Sequence, residues 1–180
     1  HASQRRVGVM GVGNLGRAAL DRLQPLGFQL SGWNRSLKEV PGGHCYVGPG
    51  ELEAFLGQCD ILVNMLPLTP ETDGILNAAK LDCLPHGAGL INVGRGAHLI
   101  ETALLSALDE GRLGGAVLDV LVQEPPTQDN SLWKHPRVIL TPHIASDVQI
   151  EGGVAVIVEN LRREREGMTL LNVVDRSKGY

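Results

Sequence analysis

Aromatic side chains are scarce in this chain: two Trp, two Tyr and two Phe make up 3% of its 180 residues. That shortage excludes a surface on which successive bases stack, since such platforms are built from ring faces. Basic residues are not in excess either: 16 Lys and Arg stand against 20 Asp and Glu, a net charge of −4. Proteins that grip the phosphate backbone are normally basic, so no nucleic-acid partner is expected. There are only three cysteines, Cys45, Cys59 and Cys83, and no Cys-x-x-Cys pair. An odd count with wide gaps argues against a disulfide framework and gives no zinc-ligand spacing. Free thiols of a reducing compartment, and no metal, are the expectation. No apolar run approaches the roughly 20 residues needed to cross a bilayer, and no secretory apolar region opens the chain. No membrane partner and a cytoplasmic location are therefore expected.

What is present is 43% hydrophobic residues and 23 glycines. A chain of this size forms a sizeable core, which excludes intrinsic disorder. The apolar period alternates between two and 3.6 along the sequence. Arg6-Val7-Gly8-Val9-Met10 reads as a strand, and Leu15, Ala18, Ala19 and Leu23 mark a helix face ended by Pro25 and Gly27. Phe28 to Trp33, and Tyr46-Val47, read as further strands, with Leu52, Phe55 and Leu56 at helical spacing between them and the next strand. Asp60 to Leu66 is a nearly continuous apolar run closed by Pro67, as in a strand covered on both faces. Ala88 to Val93, Gly115 to Val120 and Val138-Ile139-Leu140 continue the series. Helix faces fall at Ile100, Ala103, Leu104, Ala107 and Leu108, and at Val154, Ile157, Val158 and Leu161 before Gly167. Arg162 to Glu166 reads as the solvated end of that last helix. This alternation predicts an α/β fold, a doubly wound parallel sheet of the dinucleotide-binding (Rossmann) type.

Gly11-Val12-Gly13-Asn14-Leu15-Gly16 fits Gly-x-Gly-x-x-Gly between the first strand and the first helix. Gly11 allows the tight turn, Gly13 lets the backbone approach a pyrophosphate, and Gly16 lets helix and strand pack closely. The unpaired N–H groups of the helix start face the anion. The second strand ends in Trp33-Asn34-Arg35-Ser36, where a free ribose hydroxyl would call for a carboxylate, and none appears before Glu39. Arg35 suits a 2′-phosphate, with Asn34 and Ser36 as hydrogen-bond donors. The expected cofactor is NADP, with NAD as the lesser alternative.

Three polar clusters close later strands: Asn92-Val93-Gly94-Arg95-Gly96, Gln123-Glu124-Pro125, and Thr141-Pro142-His143-Ile144-Ala145. An Arg, a Glu and a His on one sheet edge suit chemistry on a 2-oxo acid. Arg offers a forked cation for a carboxylate or ketone oxygen, His exchanges a proton near neutral pH, and a Glu beside it orients the ring. Asp119, inside an apolar strand, needs a partner, because a lone buried carboxylate is costly. His44, His86, His98 and His135 lack such company and read as surface residues.

The succession Gly-x-Gly-x-x-Gly, Gly-Arg-Gly, Glu-Pro and Pro-His-Ile-Ala resembles the D-isomer-specific 2-hydroxyacid dehydrogenase family. Trp33 to Ser36, Leu66-Pro67, Leu118-Asp119-Val120, Leu132 to Val138 and Val174 to Tyr180 point to its glyoxylate/hydroxypyruvate-reducing branch. The resemblance implies an oxidoreductase moving a hydride between NADPH and a small 2-oxo or 2-hydroxy acid. It makes Arg95, Glu124 and His143 catalytic, and Arg95, His143 and Trp133 substrate-binding. It assigns the cofactor to Gly11, Gly13, Asn14, Leu15, Gly16, Trp33, Asn34, Arg35, Ser36, Leu66, Pro67, Val93, Gly94 and Asp119. Family members are about twice as long, the usual size of a two-domain chain. Residues 1–180 are thus expected to be one dinucleotide-binding domain, with residues 167–180 turned toward a substrate domain outside this chain, and the family commonly forms homodimers. A corepressor-like, non-catalytic nucleotide sensor is the alternative. The 6-phosphogluconate dehydrogenase group, which relies on a lysine, fits the later motifs less well.

Overall fold

The computed structural model describes residues 1–146 and 150–174. Strand β1, Arg6–Met10, is central and buried on both faces, and its Val7 and Val9 point opposite to Met10. Around it lie β2, Gln29–Asn34; β3, His44–Val47; β4, Ile61–Asn64; β5, Ala88–Asn92; β6, Leu113–Leu118; and β7, Val138–Leu140. All pair in parallel, in the order β3-β2-β1-β4-β5-β6-β7. The order reverses between β1 and β4, and ligands of such sheets bind outside the strand C-termini at that point.

The connecting helices are α1, Asn14–Leu23; α2, Leu52–Leu56; α3, Ala78–Asp82; α4, Glu101–Asp109; and α5, Ser131–Lys134. Leu20 and Leu23 of α1 pack with Val7, Val9 and Val63 on one sheet face. Phe55 of α2, Leu81 of α3, Leu104 and Leu108 of α4 and Leu132 of α5 pack with Met10, Leu62 and Leu90 on the other. The sheet is therefore covered by helices on both faces, as the alternation predicts. Cys45 and Cys59 are buried and Cys83 half-buried, all three as free thiols.

Strand β4 stops at Asn64, two residues before its apolar run ends. The Met65 N–H still reaches Met10 at 2.8 Å, but the Leu66 N–H turns to the Asn64 side chain at 3.3 Å. Helices α3 and α5 have no counterpart in the sequence pattern. Each begins on an asparagine whose side chain caps it: Asn77 accepts from the Lys80 N–H and Asn130 from the Leu132 N–H.

The chain divides into two compact units, His1–His143 and Ile144–Tyr180. The second contains α6, Ile150–Arg165, which ends before Gly167 at φ 67°. Its charged end is solvated as expected, with Glu159 bridging Arg162 at 2.9 Å and Arg163 at 2.8 Å. The segment 175–180, part of the tail resemblance, lies outside the described residues. Among the described residues no helix is long and apolar enough to cross a membrane.

Candidate active site

The Gly-x-Gly-x-x-Gly loop leaves β1 at the point where the strand order reverses. Gly11 has φ 92°, and a Cβ there would lie 2.7 Å from the Met65 carbonyl oxygen after β4. A Cβ on Gly16 would lie 2.0 Å from the Gly11 carbonyl oxygen, so α1 sits directly on the loop. A Cβ on Gly13 would meet nothing within 4 Å. Space is therefore open beside Gly13, at the start of a helix with no side-chain cap and no acidic residue in its first turn. An anion of the dinucleotide pyrophosphate class fits that cradle. Asn14 and Leu15, both exposed, flank it.

At the end of β2, Trp33 departs from the expected cofactor contact. Its indole is buried in the core and donates to the Gly48 carbonyl at 2.8 Å, while its own carbonyl accepts the Gly11 N–H at 2.9 Å. A large apolar ring at the buried end of a central strand packs inward, so Trp33 shapes the loop through its backbone. Asn34 donates to the Ser36 carbonyl at 3.0 Å, and Arg35 and Ser36 are exposed. Glu39, the first carboxylate after the strand, is paired with Arg17 of α1 at 3.1 Å. Glu71, beyond β4, lies below the usual carboxylate range, through a Thr69 hydrogen bond, its own backbone N–H and the charge of Arg35. Leu66 is buried, Pro67 half-buried, Val93 half-buried and Gly94 buried.

The three reactive candidates follow β5, β6 and β7, whose C-termini share one sheet edge. Arg95 precedes a short 3-10 turn, Gly96–His98, and is exposed. Its guanidinium lies back on the Gly94 carbonyl at 2.7 Å. A Cβ on Gly96 would lie 2.0 Å from the Leu121 carbonyl carbon, so the Arg95 loop rests on the segment leading to Glu124. That segment is held again by Glu101, which accepts the Val122 N–H at 2.9 Å.

Glu124 accepts the Leu121 N–H at 2.8 Å with one oxygen and meets His143 Nδ1 at 2.7 Å with the other. With a carboxylate as acceptor, Nδ1 carries the proton and Nε2 is left to face a ligand. Partial burial pushes the Glu124 carboxyl up, but the His143 and Leu121 bonds and the His143 charge outweigh it and hold it below the ordinary 4.5. His143 stands at φ 54°, unusual for a non-glycine, with its N–H on the Asp119 carbonyl at 3.0 Å. Asp119 is buried, and Thr141 Oγ1 donates to its carboxylate at 2.5 Å.

Asp119, Glu124, Trp133, Thr141 and His143 line a cavity of about 470 Å³ together with Leu121, Leu140 and prolines 125, 126 and 142. Trp133, 61% exposed, forms one wall. Arg95 is not among the lining residues.

Two histidines depart from the surface expectation. His98 is wholly buried, with Nδ1 3.0 Å from the Arg95 N–H and Nε2 3.2 Å from the Pro67 carbonyl. His135 is half-buried, 3.3 Å from Asp109, and its Nδ1 accepts the Arg137 N–H. His44 and His86 are exposed.

Residues 1–145 match the sequence profile of the D-isomer specific 2-hydroxyacid dehydrogenase, NAD binding domain. The chain belongs to that family. Glyoxylate/hydroxypyruvate reductase A of Salmonella paratyphi B is 47% identical over 174 residues, 97% of this chain and 56% of the relative. The chain thus spans about half the length of the curated relatives it matches. A D-isomer specific 2-hydroxyacid dehydrogenase from Xanthobacter autotrophicus Py2, solved with NADPH and MES, superposes with a TM-score of 0.95 at 45% identity, over 99% of this chain and 74% of that one. The NADPH-dependent glyoxylate/hydroxypyruvate reductase of Sinorhizobium meliloti, solved with NADP and sulfate, gives 0.95 at 39% identity, over 100% of this chain and 58% of that one.

Proposed function

We propose that this dehydrogenase chain is the cofactor half of an NADPH-dependent reductase that converts a small 2-oxo acid, glyoxylate or hydroxypyruvate, to its 2-hydroxy acid. The observation that carries the reading is the Glu124–His143 pair, 2.7 Å apart and facing a cavity beside buried Asp119. Relatives that are themselves glyoxylate/hydroxypyruvate reductases support it.

When bound, NADPH supplies the hydride that the ketone carbon accepts. Arg95 swings from the Gly94 carbonyl to bind the substrate carboxylate and ketone oxygen. His143 Nε2 gives its proton to that oxygen, completing the alcohol. Glu124 holds the ring through Nδ1 and offsets the charge of the imidazolium. Asp119 accepts a hydrogen bond from the nicotinamide carboxamide. Arg35, with Asn34 and Ser36, pairs with the 2′-phosphate, and the open cradle at Gly13 takes the pyrophosphate. Trp133 lines the substrate side.

Water exclusion and ketone positioning need a closed cleft, so the partner half of the enzyme is a substrate domain outside this chain. The reductase works as a cytoplasmic homodimer. In the intact enzyme, NADPH is oxidised when glyoxylate or hydroxypyruvate is added, and His143→Gln lowers kcat by roughly 10²- to 10⁴-fold. The isolated chain binds NADPH but turns over poorly. Normal turnover after His143→Gln would overturn the assignment.

A further inference from the structure

Three side chains at this rim take no part in the reaction above: Asn64 ends β4, Asn92 ends β5, and His98 lies in the turn after Arg95. All three are at 0% exposure. Amides and an imidazole are costly to bury unless their polar atoms are paired. Here every one of those atoms has a partner. Asn64 Nδ2 donates both to Asn92 Oδ1 and to His98 Nδ1, each at 2.9 Å. Asn64 Oδ1 accepts the Leu66 N–H at 3.3 Å, and Asn92 Oδ1 also accepts the Gly94 N–H at 3.2 Å. Asn92 Nδ2 donates to the Arg95 carbonyl at 3.2 Å.

The pattern fixes the histidine tautomer. Nδ1 receives two N–H groups, from Asn64 and from the Arg95 backbone, so it carries no proton. Nε2 therefore carries it and donates to the Pro67 carbonyl at 3.2 Å. The result is a clamp on two loops at once. The backbone of Arg95 is held on both sides, its N–H by His98 and its carbonyl by Asn92. The Leu66–Pro67 segment after β4 is held by Asn64 and by the opposite edge of the same imidazole.

We propose that His98, seated between Asn64 and Asn92, is a positioning residue that fixes the backbone of Arg95 against the Leu66–Pro67 loop, so that carboxylate recognition by Arg95 depends on a histidine that never touches substrate. The inference rests on the reading of Arg95 as the substrate-binding cation. The Arg95 guanidinium is exposed and reaches a ligand on a long flexible stem, so the anchoring of its Cα sets where it arrives. A displacement of about 1 Å at such an anchor is enough to cost roughly 100-fold in turnover.

A histidine that only filled space would behave differently from one that clamps, and two substitutions separate the cases. In His98→Asn, Oδ1 stands where Nδ1 stood and keeps the acceptor for Arg95, while the donor to Pro67 is lost. In His98→Gln, the side-chain NH₂ reaches the Nε2 position and keeps the donor to Pro67, while the acceptor for Arg95 is lost. Both remove the ring. In the intact enzyme, His98→Gln is expected to raise the glyoxylate KM on the order of 10-fold with the NADPH KM within about twofold of the parent, and His98→Asn, which keeps the acceptor for Arg95 and loses only the tie to Pro67, to raise the glyoxylate KM by a smaller factor, about threefold. Equal changes in both variants, or none in either, overturn the clamp. Amide hydrogen exchange on this chain gives a reading independent of activity. The Arg95 N–H exchanges on the order of 10-fold faster in His98→Gln but not in His98→Asn, with the Leu62 N–H of the core unchanged in both. Unchanged Arg95 exchange in His98→Gln overturns the proposal. If the parent enzyme reduces no 2-oxo acid, the reductase reading fails, and the exchange measurement still decides the clamp.

Discussion

Glu124 and His143, nineteen residues apart in the chain, meet at 2.7 Å, and the second oxygen of Glu124 is pinned by the Leu121 N–H at 2.8 Å. The carboxylate is thus oriented from behind before it orients the imidazole. Glu124→Gln preserves a hydrogen bond to Nδ1 but removes the charge that offsets an imidazolium, and Glu124→Ala removes both. In steady-state assays of the intact enzyme, kcat should fall roughly 10-fold for Glu124→Gln and roughly 100-fold or more for Glu124→Ala. Parent-like activity in Glu124→Gln would show that the charge of Glu124 does not matter, and equal losses in the two variants would show that the hydrogen bond adds nothing without it.

The glycine loop makes a second pair of predictions, because Gly13 and Gly16 do different work. A Cβ on Gly16 would lie 2.0 Å from the Gly11 carbonyl oxygen, whereas one on Gly13 meets nothing within 4 Å. Gly16→Ala should therefore cost about 1–3 kcal/mol of stability, a fall in Tm of roughly 2–12 °C. Gly13→Ala should leave Tm within about a degree or two of the parent, yet weaken NADPH binding on the order of 10-fold, because its methyl fills the space a pyrophosphate would take. Thermal melts without cofactor and fluorescence titration with NADPH check both.

Cofactor choice turns on the end of β2. The carboxylate that would favour a free 2′-hydroxyl is missing there, and the first one after it, Glu39, is paired with Arg17 at 3.1 Å. Arg35→Asp should weaken NADPH binding by roughly 10- to 100-fold while NADH binding holds or tightens, since the new carboxylate repels a phosphate and suits a hydroxyl. Parallel titrations with NADPH and NADH read the ratio directly. An unchanged NADPH affinity would show that Arg35 does not meet the 2′-phosphate.

The seven strands were visible in the sequence because each is a short apolar run bounded by Gly, Pro or a polar cluster, and β1 with its glycine loop marked the cofactor edge. Helices α3 and α5 were not, since five and four residues complete too little of a turn pattern to show a period. Their asparagine caps, Asn77 and Asn130, were the available signal. Glu124 and His143 could be named from their Pro neighbours, but Trp33 could not be assigned to the core by its position alone, as a strand end reads the same whether its side chain faces in or out. His98 reads as a surface residue in the sequence, yet is buried, for a related reason. Its partners, Asn64 and Pro67, lie 34 and 31 residues earlier, and nothing local marks a histidine whose polar atoms are satisfied from two other loops.

Burial of His98 also predicts a pH effect on stability. Burial lowers its pKa below the ordinary 6.5, with the charge of Arg95 acting in the same direction. The unfolded chain then binds a proton that the folded chain refuses, so this contribution is fully present above about pH 6.5 and is lost as the pH falls from there toward the lowered value. The slope reaches at most about 1.4 kcal/mol per pH unit. Asp60 and Glu124, both held below their ordinary carboxylate values, contribute in a lower window, below about pH 4.5. Urea unfolding of the parent and of His98→Asn between about pH 7 and pH 5 should show the slope only in the parent. Identical slopes would contradict a neutral buried imidazole.

The central claim is that one rim gathers Arg95, Glu124 and His143 around the reacting carbonyl. A crystal structure of the intact enzyme with NADPH and oxamate, an unreactive 2-oxo acid mimic, tests it most directly. The account predicts Arg95 released from the Gly94 carbonyl and paired with the oxamate carboxylate, His143 Nε2 at about 3 Å from the oxamate carbonyl oxygen, and Glu124 still on Nδ1. Oxamate bound away from His143, with Arg95 still folded onto Gly94, would contradict it.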